Sequence, residues 1–87
     1  MNALCRPAKG VLVREAEGQV LVLDPASDRI HQLNETASFI WRTCQEVASA
    51  AEVAKSLAEN FEVEEDKARA DAERTIDELK ALGIIRG

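Results

Sequence analysis

Eighty-seven residues suffice for one small domain and are too few for two. Hydrophobic residues make up 46% but aromatics only 3%, so the core must be built from Ala, Val, Leu and Ile, giving a light domain that a partner surface would stabilise further. A net charge of −5 and a pI near 4.8 suit the phosphate backbone of nucleic acid poorly, which leaves a peptide or a larger enzyme as the more natural partner.

Residues 1–9 carry no hydrophobic periodicity and are punctuated by Pro7 and Gly10, so they read as a flexible N-terminal arm ahead of a domain over residues 10–87. Residues 11–15 form a short β-prone run, and Glu17-Gly18 is a turn signal. Residues 19–23, Gln-Val-Leu-Val-Leu, are the most β-prone of the chain. Their continuous apolar character predicts a central strand buried on both faces. In residues 24–28, Pro25 fixes φ for a turn while Asp24, Ser27 and Asp28 can bond back to nearby amides. As a metal loop this stretch has too few ligands for a hard cation. The third strand covers residues 29–33, where polar and apolar side chains alternate. In a three-stranded meander it is an edge, and its free N–H and C=O groups can pair with another chain.

The stretch from Leu33 to Trp41 is the hinge of the layout, with strands before it and helices after it. Leu33 and Asn34 read as a hydrophobic staple and an N-cap, Glu35 suits the positive end of the helix dipole, and Ala37, Ile40, Trp41 and Cys44 share one face. A second helix begins after Ser49, with Glu52 at the capping-box position and Ala50, Val53, Ala54, Leu57 and Ala58 on one face. The longest helix is expected over residues 64–82, with acids early, Lys80 late, and Gly83 as its C′ residue. Its apolar face is Ala68, Ala72, Thr75 or Ile76, Leu79 and Leu82. Ile84 and Ile85 then pack back on the core.

Catalytic signatures are missing from this pattern. There is no Gly-rich phosphate loop, no G-x-S-x-G and no H-E-x-x-H, and His31 is the sole histidine. Cys5 and Cys44 come without a C-x-x-C partner, so neither a metal site nor a cofactor is expected. Cys44 reads as a small buried hydrophobe and Cys5 as part of the arm, and a disulfide between them stays open. No apolar run has the length of a signal peptide or a membrane span, and the expected setting is the cytoplasm, with no membrane partner.

Several pieces in order carry a resemblance to a known family. Residues 20–25, Val-Leu-Val-Leu-Asp-Pro, are followed by residues 29–37, Arg-Ile-His-Gln-Leu-Asn-Glu-Thr-Ala, which holds an "LN-x-T-A" opening to the first helix that Ile40-Trp41 continues. Val53-Ala54 with Leu57 and Phe61 follows, and the chain closes on Asp71, Leu79 and Leu82-Gly83-Ile84-Ile85. Over about residues 11–85 this resembles the PqqD family, the pyrroloquinoline quinone biosynthesis protein D and its relatives. The resemblance implies an α+β, winged helix-turn-helix-like domain with a three-stranded antiparallel sheet followed by three helices. It also implies a non-catalytic RiPP recognition element. Such an element binds the leader of a ribosomally made precursor peptide by strand addition and presents it to a modifying enzyme, often a radical SAM protein.

Carried onto this chain, the resemblance points to Arg29, Ile30, His31 and Gln32 on the third strand, and to Arg69, Ala72, Glu73 and Ile76 on the third helix, with apolar leader side chains captured between them. The turn at residues 24–28 looks more like the generic PqqD-like members than those of the quinone pathway. The alternative of the same architecture is a winged-helix DNA-binding regulator, against which the acidic balance argues. A third is a subunit that only stabilises a larger enzyme. The open edge strand permits a monomer or a homodimer.

Overall fold

The computed structural model describes residues 3–86. Five strands and three helices follow in the order β1 (Arg6–Pro7), β2 (Leu12–Ala16), β3 (Gln19–Asp24), β4 (Arg29–Gln32), α1 (Glu35–Thr43), α2 (Ala50–Phe61), α3 (Glu65–Ala81) and β5 (Ile85–Arg86). The expected three-stranded antiparallel sheet followed by three helices is the architecture observed. The sheet order is β2-β3-β4, and β1 pairs separately with β5.

Local chemistry fixes the joints. Glu17 and Gly18 both have positive φ, 54° and 79°, which gives the two-residue turn whose twist suits an antiparallel hairpin and sets Ala16 opposite Gln19. Between β3 and β4, Asp24 accepts from the Ala26 amide at 3.2 Å and from the Ser27 hydroxyl at 2.9 Å, so the turn is closed by its own side chains. Asn34 caps α1 by accepting from the Ala37 amide at 2.8 Å, and Ser49 caps α2 by accepting from the Glu52 amide at 3.2 Å.

Register decides which side of the sheet is buried. Val22 stands opposite His31, and the Leu33 amide reaches the Val20 carbonyl at 2.8 Å, so Val20, Val22, His31 and Leu33 share the face covered by helices. Against them pack Ile40 and Trp41 of α1 and Cys44 just after it, Leu57 of α2, and Ala72, Ile76 and Leu79 of α3. The opposite face has no covering layer among the described residues. Leu21 and Leu23 are therefore half-buried rather than buried on both faces, and Leu12 and Ile30 are 54% and 69% exposed. Phe39 and Phe61 meet edge to face at 5.4 Å on the rim of the core.

The N-terminal segment differs from the expectation of a flexible arm. Residues 1, 2 and 87 lie outside the described residues. From residue 4 onward the segment is tied down: the Leu4 amide donates to the Val47 carbonyl at 2.7 Å, that of Cys5 to Cys44 at 3.0 Å and that of Ala8 to Ile84 at 2.9 Å. Cys5 is fully buried beside Cys44. The pairing of β1 with β5 joins segments about eighty residues apart, and two-residue strands leave no period to read. Among the described residues, no helix is long and apolar enough to cross a membrane.

Candidate functional site

β4 is an edge of the sheet, as its place as the third strand of a meander predicted. In an antiparallel ladder the residues alternate between bonding inward and facing outward. Because Leu33 bonds to Val20, and His31 stands opposite Val22, the backbone groups of residues 29 and 31 and the amide of Leu33 are spent on β3. Those of Ile30 and Gln32 face away from the sheet, two donors and two acceptors on an unpaired edge.

The side chains divide by the same alternation. Arg29, Ile30 and Gln32 are exposed, and the Gln32 amide donates to Gln19 Oε1 at 2.6 Å. His31 is half-buried on the helix-facing side. Its Nε2 is buried with no hydrogen-bond partner, the one such side-chain nitrogen or oxygen among the described residues.

The expected α3 residues do not gather beside this strand. Ala72 and Ile76 belong to the core, at 0% and 5% exposure. Arg69 and Glu73 are exposed and pair with each other at 3.8 Å. Arg69 lines a hollow of about 310 Å³ with Ala51, Ala54 and Lys55, which places it on the α2 side of the helix.

The flank of α3 beside the start of α1 carries Asp71, Arg74, Thr75 and Glu78. With Asn34, Thr36 and Ala37 from the start of α1, they line a hollow of about 280 Å³. Its chemistry is polar. Arg74 is held by Asp71 at 3.2 Å and Glu78 at 3.8 Å, while Thr75 is nearly buried at 9%. The sequence signal for these residues was the spacing 71, 75, 78, a helical stripe adjacent to the core stripe 68, 72, 76, 79. Nothing in one sequence says which flank of the core stripe borders the strand.

No three His, Cys, Asp or Glu side chains converge as a metal site among the described residues. The two thiols are inward-facing, and burial, reinforced by Cys5 alongside, pushes the Cys44 thiol up to about 12.

No curated protein matches the sequence closely enough to count as a relative. Among solved structures, the chain is similar to a lasso peptide synthetase B1 complexed with the leader peptide, at 29% identity and a TM-score of 0.87, over 98% of this chain and 100% of that one. It is also similar in fold to TbiB1 in complex with the TbiA(beta) leader peptide, at 16% identity and a TM-score of 0.84, over 94% of this chain and 95% of that one. The family described as coenzyme PQQ synthesis protein D matches residues 19–85, which include the open strand, the capped turn into α1 and all three helices. With most of its length matched and the expected topology in place, this chain belongs to the PqqD family.

Proposed function

We propose that this domain binds the leader of a ribosomally synthesised precursor peptide along β4 and presents it to a modifying enzyme. The observation that carries the reading is the pair of outward-facing backbone units at Ile30 and Gln32 on an unpaired edge. An extended peptide added there gains main-chain hydrogen bonds. Its alternate side chains fall beside Ile30 on the open face and beside His31 on the helix-facing side. Support also comes from the lasso peptide synthetase B1, alike over its whole length and complexed with its leader.

Arg29, Ile30, His31 and Gln32 form the strand side of this proposed site. On the helix side, Asp71, Arg74, Thr75 and Glu78 border the hollow beyond the strand, whereas Arg69, Ala72, Glu73 and Ile76 bear on it only through the position of α3. The protein works as a binding module in the cytoplasm, as a monomer or homodimer, with a radical SAM or other maturation enzyme as its partner. α3, the helix that a DNA-binding relative would lay in the groove of the duplex, turns Asp71 and Glu78 to this surface, a poor match for phosphate.

Amide hydrogen exchange read by NMR tests the proposal. On adding the leader region of the precursor peptide, the Ile30 and Gln32 amides should become protected. Protection that bypasses both amides, or no change at all, would refute strand addition at β4.

A further inference from the structure

Main-chain pairing alone leaves the position of a bound leader undecided. The outward backbone units of β4 recur every two residues, at Ile30 and Gln32. A peptide shifted by two residues along this edge makes the same kind of hydrogen bonds and keeps the same side chains on the same face. Side chains must choose the register. Those of Ile30 and Gln32 are both exposed, and both stand on the face of the sheet turned away from the helices.

The two have opposite surroundings. Ile30 stands opposite Leu23, and Leu23 opposite Leu12, which makes an apolar row across all three strands. Leu12 and Ile30, at its two ends, are largely exposed. With residues at the β3-β4 turn, the row lines a hollow of about 270 Å³. One row along, Gln32 stands opposite Leu21, and Leu21 opposite Arg14. The Gln32 carboxamide donates to Gln19 Oε1 at 2.6 Å, and its own oxygen is an acceptor. The end of the first row at β4 is therefore apolar, and that of the second is polar.

We infer that Ile30 and Gln32 set the register of the leader on the open face. The leader runs antiparallel to β4, the sense of both pairings already in the sheet. It carries a hydroxyl or carboxamide side chain beside Gln32 and, two residues later, an aliphatic or aromatic one beside Ile30. Because the backbones of Ile30 and Gln32 bond outward, each faces its leader residue in a hydrogen-bonded pair, with α-carbons about 5.5 Å apart and side chains on one face. The apolar leader side chain extends the row Leu12-Leu23-Ile30 onto a fourth strand. A slip of two residues in either direction loses the match, setting the apolar side chain beside Gln32 or the polar one beside Ile30. The inference rests on the leader-binding reading and deepens it: selection also acts on the face away from the helices, outside the groove that the sequence suggested.

The test uses the full chain and a displayed library of random peptides. Peptides selected on the wild-type protein should share Ser, Thr, Asn or Gln followed two residues later by an aliphatic or aromatic residue. The strongest is synthesised with a fluorescent label, beside a second peptide in which those two residues are exchanged. By anisotropy the wild type should bind the original about tenfold more tightly. The double variant Ile30→Gln/Gln32→Ile should reverse that preference. Both sites are exposed, so the fold should stand, which far-UV circular dichroism checks. Ile30→Gln alone leaves one match for each peptide and should bind the two within about twofold of each other.

A wild-type preference that persists unchanged in Ile30→Gln overturns the inference whether or not the double variant folds. Selected peptides without such a pair, or with the pair in reverse order, overturn it as well while leaving strand addition intact. A library that yields no binders to the wild type removes the leader-binding reading and this inference with it.

Discussion

Ser38 clamps Val20 to the end of the neighbouring strand: its hydroxyl accepts from the Val20 amide at 2.8 Å and donates to the Leu33 carbonyl at 3.1 Å. All three residues are buried, so no water can substitute. The sheet runs out of ladder at this point, and one α1 side chain completes it. Ser38→Ala should therefore leave both a buried donor and a buried acceptor unpaired, at a cost of about 2 kcal/mol or more in unfolding free energy. Urea denaturation followed by Trp41 fluorescence measures it. A loss of only a few tenths would mean that the clamp is dispensable.

Proline scanning along β4 separates the two edges of the strand. Ile30→Pro removes an N–H that faces outward, so the fold should survive while leader affinity drops well below that of Ile30→Ala. His31→Pro removes an N–H committed to β3 and should unfold the sheet. Far-UV circular dichroism reports the fold and fluorescence anisotropy the binding. A folded Ile30→Pro variant with the affinity of Ile30→Ala would argue against pairing at that edge.

The two flanks of α3 should respond differently to bulk. Glu78 borders the hollow near the α1 start and is largely exposed, so Glu78→Trp should be tolerated by the fold while weakening leader binding about tenfold. Arg69 faces the α2 side, and Arg69→Trp should change binding less than about twofold. Equal effects from both substitutions would place the peptide elsewhere.

The buried Cys44 thiol predicts an alkaline limit. Its folded value near 12 lies above the ordinary 9.0, so the unfolded chain loses this proton first as pH rises. Stability from this group is fully present below about pH 9 and is lost as pH climbs toward 12. The slope is no steeper than about 1.4 kcal/mol per pH unit. Denaturation midpoints between pH 8 and pH 10.5 should fall more steeply for wild type than for Cys44→Ala. In the native state the thiol should resist alkylation at pH 8 and react once the chain is unfolded.

Much of this molecule was legible in the residue pattern, for reasons that stay local. Asn34 and Ser49 cap the helices they were expected to cap, because capping depends on side chains within three residues. The strand expected over residues 29–33 is found at 29–32, and its place at the edge followed from its being third in a meander. Gly83, with φ of 77°, ends α3 where only a residue free of a β-carbon is at ease. What escaped were relations between distant segments. Leu82 continues the apolar stripe of α3 in sequence yet is 44% exposed, because the helix ends before the core does. Arg69 and Glu73, expected at the groove, lie on the α2 side of α3, whereas Asp71 and Glu78 stand on the opposite flank, beside the start of α1. Periodicity fixes which stripe is buried, not what lies to its left and right.

Because Arg6 and Pro7 lie against Arg86 and Ile85, the first and last strands of the fold lie side by side. That pair is separate from the sheet that holds β4, so a change made in it lies outside the ladder that carries the open edge. The same closure makes the topology nearly circular: a linker from residue 86 to residue 3, which keeps the buried Cys5, with new ends opened at the Glu17-Gly18 turn, preserves every strand pairing and leaves the edge of β4 untouched.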